Sequence, residues 1–156
     1  MKTAFIHSPL GITKITGDQE GIVGISIITE TYLSEQIPEE LLEAVNQLQE
    51  YFKGNRTSFS FTLNLKGTDF QKKVWHELRQ IPFGKTISYL DLAKKLGNVK
   101  AIRAVASANA KNPIWIVVPC HRVIGTDGSL TGYAGGLWRK KWLLDHENSL
   151  KQQTLF

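Results

Sequence analysis

The spacing of apolar residues divides the chain into short elements. Ile12 to Thr16 and Ile22 to Ile28 are β-branched runs separated by Gly17-Asp18-Gln19-Glu20-Gly21, which predicts a hairpin. Pro38 opens a helix whose apolar positions Leu41, Leu42, Val45, Leu48, Tyr51 and Phe52 keep to one face, and Gly54 closes it. Ser58 to Leu65 alternates, with Phe59, Phe61, Leu63 and Leu65 on one side, so it reads as a half-buried strand. Thr68-Asp69-Phe70-Gln71 is a capping box, and Phe70, Val74, Trp75 and Leu78 follow at helical spacing up to Ile81-Pro82-Phe83-Gly84. Ser88 opens a short helix that Gly97 stops, and Asn98 caps a third running to about Lys111. Asn112-Pro113 lead into an apolar run, Trp115 to Val118, read as a buried strand. After a glycine-rich loop, Gly132 to Gly136, a last helix spans Leu137 to Glu147, leaving a tail whose Leu155 and Phe156 can dock.

Charge sharpens this picture. Residues 1–66 carry five Lys and Arg against eight Asp and Glu, whereas residues 67–156 carry fourteen against six. A boundary near Lys66-Gly67 therefore separates a support unit, 1–66, from a basic unit, 67–156. The basic excess points to a polyanion partner for the second unit, because phosphates are held by Lys and Arg through counterion release. Two short helices joined by Gly97-Asn98 have the form of a helix-turn-helix. In the second, Ile102 and Val105 form a narrow apolar stripe, while Ala101, Ala104, Ala106, Ser107, Ala108 and Ala110 leave the surface without bulk. Arg103 stands out from it, suited to reaching into a DNA groove.

Composition excludes several classes. A single cysteine rules out an intramolecular disulfide and a cysteine-rich zinc site. The apolar start is too short for a signal peptide and no run is long enough for a bilayer, so the expectation is a soluble cytoplasmic protein with no membrane partner.

The candidate chemistry lies in Pro119-Cys120-His121-Arg122, which holds that lone cysteine. A thiolate is the reactive form of cysteine, and a neighbouring imidazole is a usual way to generate one. Taken alone the dipeptide leaves two readings open, a nucleophile or a small buried residue. A histidine base should itself be oriented by a third group; Glu147 is the best available carboxylate, with Asp145 next.

These residues carry a resemblance. Pro119-Cys120-His121-Arg122-Val123-Ile124, with Arg103-Ala104-Val105 and Asn112-Pro113 before it and Tyr133-Ala134-Gly135-Gly136 and Trp142-Leu143-Leu144-Asp145-His146-Glu147 after it, closely resembles the O6-alkylguanine-DNA alkyltransferases. The matching runs fall between about residues 68 and 147; the first 66 residues match in size and expected architecture only. The resemblance implies an α+β protein: a small N-terminal three-stranded antiparallel sheet with a helix, then a mainly helical, winged-helix-like domain with a helix-turn-helix.

It also implies roles. Cys120 is the alkyl acceptor, and His121, through a water, takes its proton while Glu147 holds the imidazole. Arg103 is the finger that replaces the flipped base, with Ala104, Ser107 and Tyr89 also at the DNA. Tyr89 crowds the target phosphate and donates to the departing guanine, and Asn112 is a hinge behind the active-site turn. The main chain at Cys120 and Val123 accepts from the guanine amine, and Tyr133 and Ala134 line the pocket. Ala134 stands where some members have a serine, which leaves only a backbone amide to the alkylated oxygen and a pocket open to bulkier groups. Asn109 stands where a larger apolar residue can assist the finger.

The implied activity is irreversible, single-turnover transfer of a methyl or other alkyl group from O6 of guanine, and O4 of thymine, in double-stranded DNA. No cofactor and no metal are implied, since the zinc ligands of some members are missing. The expected state is a monomer, with cooperative binding along DNA left open. The competing readings are an alkylation-damage sensor, whose alkyltransferase-like form lacks the acceptor cysteine, a DNA-binding regulator and a cysteine hydrolase.

Overall fold

The computed structural model describes residues 1–154, with side chains to residue 150, so the tail positions Leu155 and Phe156 lie outside the described residues. The chain is α+β and divides into two compact units, one of residues 1–66 with Pro113–Val117, the other of Gly67–Asn112 with the chain from Val118 onward.

In the first unit, β1 (Lys2–Ser8), β2 (Gly11–Asp18) and β3 (Gly21–Ile28) form an antiparallel sheet in the order β1-β2-β3. Alternation sends Ala4, Ile6, Ile15 and Ile25 into the core, where Leu41, Leu48 and Tyr51 meet them. Leu41 ends a single 3₁₀ turn that follows Pro38, and the other two sit on α1 (Leu42–Phe52). Leu42 points outward, 41% exposed, against the expectation of a continuous stripe. Gly21 has to be glycine: its φ is +145°, and a Cβ there would lie 2.7 Å from the Thr62 carbonyl oxygen.

The third strand of the sheet is β1, not Ser58–Leu65. That segment touches β3 through one bridge, Ile22 with Leu63, made by Ile22 N–H to Thr62 O at 3.0 Å and Asn64 N–H to Ile22 O at 2.7 Å. Its alternation is real, since Phe61 is buried and Thr62 exposed, but a buried face does not require a ladder. Side chains serve its backbone instead: Ser60 N–H donates to Gln47 Oε1 at 2.9 Å, and Ser58 O accepts from Arg56. Trp115–Val118 is likewise not a strand. Ile25 N–H donates to Pro113 O and Trp115 N–H to Ile25 O, a second single bridge on the outer edge of β3. Ile116 then turns the chain at φ +75°, a strained setting for a β-branched residue. Both segments cap a sheet edge that would otherwise stand open.

In the second unit, α2 (Asp69–Leu78) begins with a complete capping box between Thr68 and Gln71 and buries Val74, Trp75 and Leu78, leaving Phe70 38% exposed. Ser88 caps α3 (Tyr89–Lys95) by accepting from Asp91 N–H. Gly97 reverses the chain at φ +85°, and Asn98 caps a 3₁₀ turn that runs into α4 (Ile102–Ala110). Here β4 (Ile87–Ser88) pairs in parallel with β5 (Val123–Ile124). The last helix, α5, runs Leu137–Thr154, past the expected stop at Glu147, because no glycine or proline interrupts it. The core joins Val74, Trp75, Leu92, Val105, Val123 and Leu143, and Trp75 Nε1–H donates to Ala108 O at 2.9 Å.

Candidate active site

After Pro119 the chain makes one 3₁₀ turn, Cys120–Arg122, that buries three chemically active side chains in succession. Helix α4 braces this turn from its C-terminal end. Asn112, just past the helix, donates from Nδ2 to Val118 O at 2.7 Å, and Asn109, in its last turn, donates to Cys120 O at 3.5 Å. Asn109 is 1% exposed and faces the thiol turn, on the inner side of α4. It therefore cannot reinforce an arginine on the outer face.

Cys120 is 4% exposed, and its burial pushes the thiol up to about 11, against the smaller opposing pulls of an Asn112 hydrogen bond and the Lys140 charge. The thiol is therefore protonated at neutral pH, and the nucleophile has to be made during the reaction.

The groups that can do so stand beside it. His121 Nε2 and Glu147 Oε2 are 2.8 Å apart, and Arg122 clasps the same carboxylate through Nε to Oε1 at 2.8 Å and Nη2 to Oε2 at 3.0 Å. Arg122 also donates to Ile81 O at 2.7 Å and lies over the Phe83 ring. Burial works against the ionisation of Glu147, yet His121 and Arg122 outweigh it and hold the carboxyl well below its usual range. An ionised Glu147 only accepts, so Nε2 of His121 carries the hydrogen and Nδ1 carries the lone pair. Nδ1 has no partner among the described residues, while burial, opposed by Glu147, keeps the imidazole below its ordinary value. A neutral ring with one anchored edge and one nitrogen without a partner among the described residues has the form a general base requires.

The Tyr89 hydroxyl donates to Thr131 O at 3.2 Å. Burial, with the nearby cysteine, raises the Tyr89 phenol, while hydrogen bonds with Thr131 and Asn109 work the other way. Lys140 is buried and places its ammonium between two carbonyls, Val123 O at 2.6 Å and Thr131 O at 2.7 Å. Burial brings it down to about 8, with the cysteine pulling the other way. The Val123 carbonyl is therefore already engaged, although its second lone pair is free to accept from a ligand. Tyr133 is buried, Ala134 is exposed, and Arg139 donates to Gly135 O at 2.8 Å, steadying the glycine loop.

On its outer side α4 exposes Arg103, Ala104 and Ser107, and exposed Lys94, Lys95, Lys100 and Lys111 come from the same helix-turn-helix. Arg103, Ala104 and Ser107 share one helix face as i, i+1 and i+4, while Val105, Ala108 and Asn109 turn inward.

Two contributors escaped the sequence reading. Arg122 lies inside the cysteine run, where nothing nearby in sequence marks its carboxylate partner. Lys140 stood in plain view as a helical-wheel signal, because Lys140, Leu143 and Glu147 at i, i+3 and i+7 share the buried face of α5. Among the described residues, no cluster of three or more His, Cys, Asp or Glu is placed to hold a metal, and no helix is long and apolar enough to cross a membrane.

A buried thiol next to a buried imidazole–carboxylate pair, in a unit that presents a basic helix-turn-helix, fits the class of DNA-directed alkyl acceptors. A family model described as the DNA-binding domain of 6-O-methylguanine DNA methyltransferase matches residues 69–149, and one described as the ribonuclease-like domain of that protein matches residues 1–65. The methylated-DNA–protein-cysteine methyltransferase of Methanosarcina acetivorans is 44% identical over 157 residues, covering 96% of this chain and 99% of its own. The crystal structure of Mycobacterium tuberculosis OGT in complex with DNA is 44% identical with a TM-score of 0.85, over 94% of this chain and 92% of that one. An O6-methylguanine DNA methyltransferase from Methanococcus jannaschii is 29% identical with a TM-score of 0.67, over 92% of each chain. The chain belongs to the 6-O-methylguanine DNA methyltransferase family.

Proposed function

We propose that this protein repairs double-stranded DNA by moving an alkyl group from O6 of guanine to Sγ of Cys120, once per molecule. The observation that carries this reading is the buried series Cys120, His121, Glu147 in the unit that presents α4. The target carbon cannot be reached inside a duplex, so the nucleotide is extruded, at a cost of about a few kcal/mol that an inserted Arg103 helps to offset. Ala104 and Ser107 let the helix approach closely, and Tyr89 lies where the extruded nucleotide arrives.

The Cys120 proton passes through a water to His121 Nδ1, and Glu147 stabilises the imidazolium that forms. Sγ attacks the alkyl carbon, the S–C bond forms as the C–O6 bond breaks, and that electron pair stays with guanine. A proton supplied through Tyr89 neutralises the leaving base, and the proton held on His121 balances it through solvent. Lys140 favours the thiolate electrostatically as it develops. Cys120 and Val123 carbonyls, Tyr133 and the backbone at Ala134 line the base pocket, and Asn112 keeps the turn in register. O4-alkylthymine is a second substrate of the same chemistry. The product is a thioether, for which the chain offers no reversing chemistry. We place this activity in the cytoplasm and on a monomer.

Mapping the label by peptide mass after incubation with duplex carrying labelled O6-methylguanine tests the reading. Label is expected on Cys120 alone, and Cys120→Ala should abolish transfer while still binding duplex. Label on another residue, or undiminished transfer by Cys120→Ala, overturns it.

A further inference from the structure

Away from the thiol, the second unit carries a concavity whose chemistry the mechanism does not use. A groove of about 640 Å³ runs between α2 and the end of α3, lined by Asp69, Lys72, Lys73, His76 and Glu77 of the one and Lys95 of the other. Both helices bury their apolar residues elsewhere, Val74, Trp75 and Leu78 on α2 and Leu92 and Ala93 on α3. The helical phase that builds the core therefore leaves Lys72, Lys73, His76 and Lys95 exposed at the groove. None of the three lysines makes an ion pair among the described residues, although Asp69 and Glu77 stand in the same lining. Three uncompensated ammonium groups around one concavity concentrate positive potential inside it.

Position and charge together identify the occupant. Lys95 stands two residues before the Gly97 turn of the helix-turn-helix, and exposed Lys94 and Lys100 flank that turn. The groove thus continues onto α2 the basic surface that the helix-turn-helix already presents. Along α2, Lys72 and His76 are about one turn apart, roughly 5.4 Å along the axis, so this face offers a row of N–H donors that a linear chain of phosphates can follow. We propose that the α2–α3 groove is a second DNA contact, in which Lys72, Lys73 and Lys95 hold the phosphate backbone of duplex flanking the lesion and add affinity that does not depend on damage. This rests on the DNA-repair reading above. Such contacts act through counterion release, so they show in the salt dependence of binding and not in the chemistry at Cys120.

The test measures affinity for an undamaged duplex against salt concentration at neutral pH. The proteins are the wild type, the triple variant Lys72→Gln, Lys73→Gln, Lys95→Gln, the single variant Lys95→Gln, and a control with Lys2→Gln, Lys66→Gln and Lys85→Gln. The control removes the same charge from exposed positions outside the groove. The slope of log affinity against log salt should become shallower by roughly 0.9 for each lysine taken from a phosphate, about 2.7 in the triple variant. Between about 50 and 200 mM salt the wild type should then lose about fortyfold more affinity than the triple variant. Transfer from duplex carrying O6-methylguanine, at protein concentrations that saturate it, should keep its rate in every variant. An unchanged slope, or an equal change in the control, overturns the proposal, and Lys95→Gln alone decides it should the triple variant not fold. Loss of polyglutamate binding with an unchanged slope for DNA also overturns it, by making the groove a site for an acidic protein. A wild type with no affinity for duplex refutes the DNA-repair reading itself, and the groove proposal with it.

Discussion

Replacing Glu147 by Gln changes one oxygen to an NH₂ and leaves volume and burial unaltered. Glu147 is 1% exposed and receives three charge-assisted hydrogen bonds, at 2.8, 2.8 and 3.0 Å, from His121 and Arg122. In Glu147→Gln the new amide would present a donor to at least one of those N–H groups and no charge to the Arg122 guanidinium, itself 6% exposed. Breaking a buried ion pair from one side costs roughly 3–5 kcal/mol, because the remaining charge stays buried and uncompensated. Against a total of about 5–15 kcal/mol for a domain, that is a large loss. Removing both charges, as in Arg122→Met with Glu147→Leu, should recover much of it. What remains is the His121 Nε2–H left unpaired, about 1–3 kcal/mol. Urea unfolding of the wild type, the single variant and the double variant at neutral pH measures all three. A single-variant loss below about 1 kcal/mol, or a double variant no more stable than the single, would show that this carboxylate does not neutralise a buried cation.

Free Cys120 should react slowly with iodoacetamide at pH 8, where a thiol at about 11 is ionised in about one molecule per thousand, and its rate should climb about tenfold per pH unit above that; a plateau near pH 7 contradicts the buried-thiol picture. His121 takes up a proton in the unfolded chain before it does in the folded one, because its folded value lies below the ordinary 6.5. Its contribution to stability is therefore present above about pH 6.5 and is lost as pH falls below it, which midpoint measurements on wild type and His121→Gln will show as a shallower acid slope in the variant. Arg103→Ala should cut the rate of transfer from duplex DNA while leaving the melting temperature unchanged, since the side chain is exposed; an equal loss with a free modified base as substrate would remove its role in base extrusion. Thr68→Ala deletes the capping hydrogen bond to Gln71 N–H at 3.1 Å and should cost about 1 kcal/mol in denaturant titration, with transfer intact.

Elements with a local cause were legible in the sequence. The capping box at Thr68, the Ser88 cap and the glycine stop at Gly97 are decided within a few residues, and each appears as the spacing indicated. Elements decided by distant partners were not. Phe59 to Leu65 alternates as a strand does, but whether it joins a ladder depends on which edge of the sheet is open, and Lys2–Ser8 had already taken one side of β2. Trp115 to Val118 is apolar because it is buried, and periodicity alone cannot distinguish a buried turn from a buried strand. At the site, the dipeptide alone leaves a nucleophile and a small buried residue open, and it is the family resemblance that sets Glu147 against His121, a contact the structure makes at 2.8 Å. The role of Arg122 was not legible, since nothing in the run shows that its charge folds back onto the same carboxylate. The resemblance sets Asn109 where a larger apolar residue can assist Arg103; the phase of α4 turns it inward, onto the Cys120 carbonyl.

Active-site titration asks whether Cys120 is consumed. The protein is mixed with an excess of duplex carrying labelled O6-methylguanine, and protein-bound label is followed to completion. Label should rise to one alkyl group per molecule, all of it on Cys120, after which demethylation of the remaining DNA stops. Continued loss of methyl groups from DNA beyond that equivalence would mean that the thiol is regenerated and that the protein turns over.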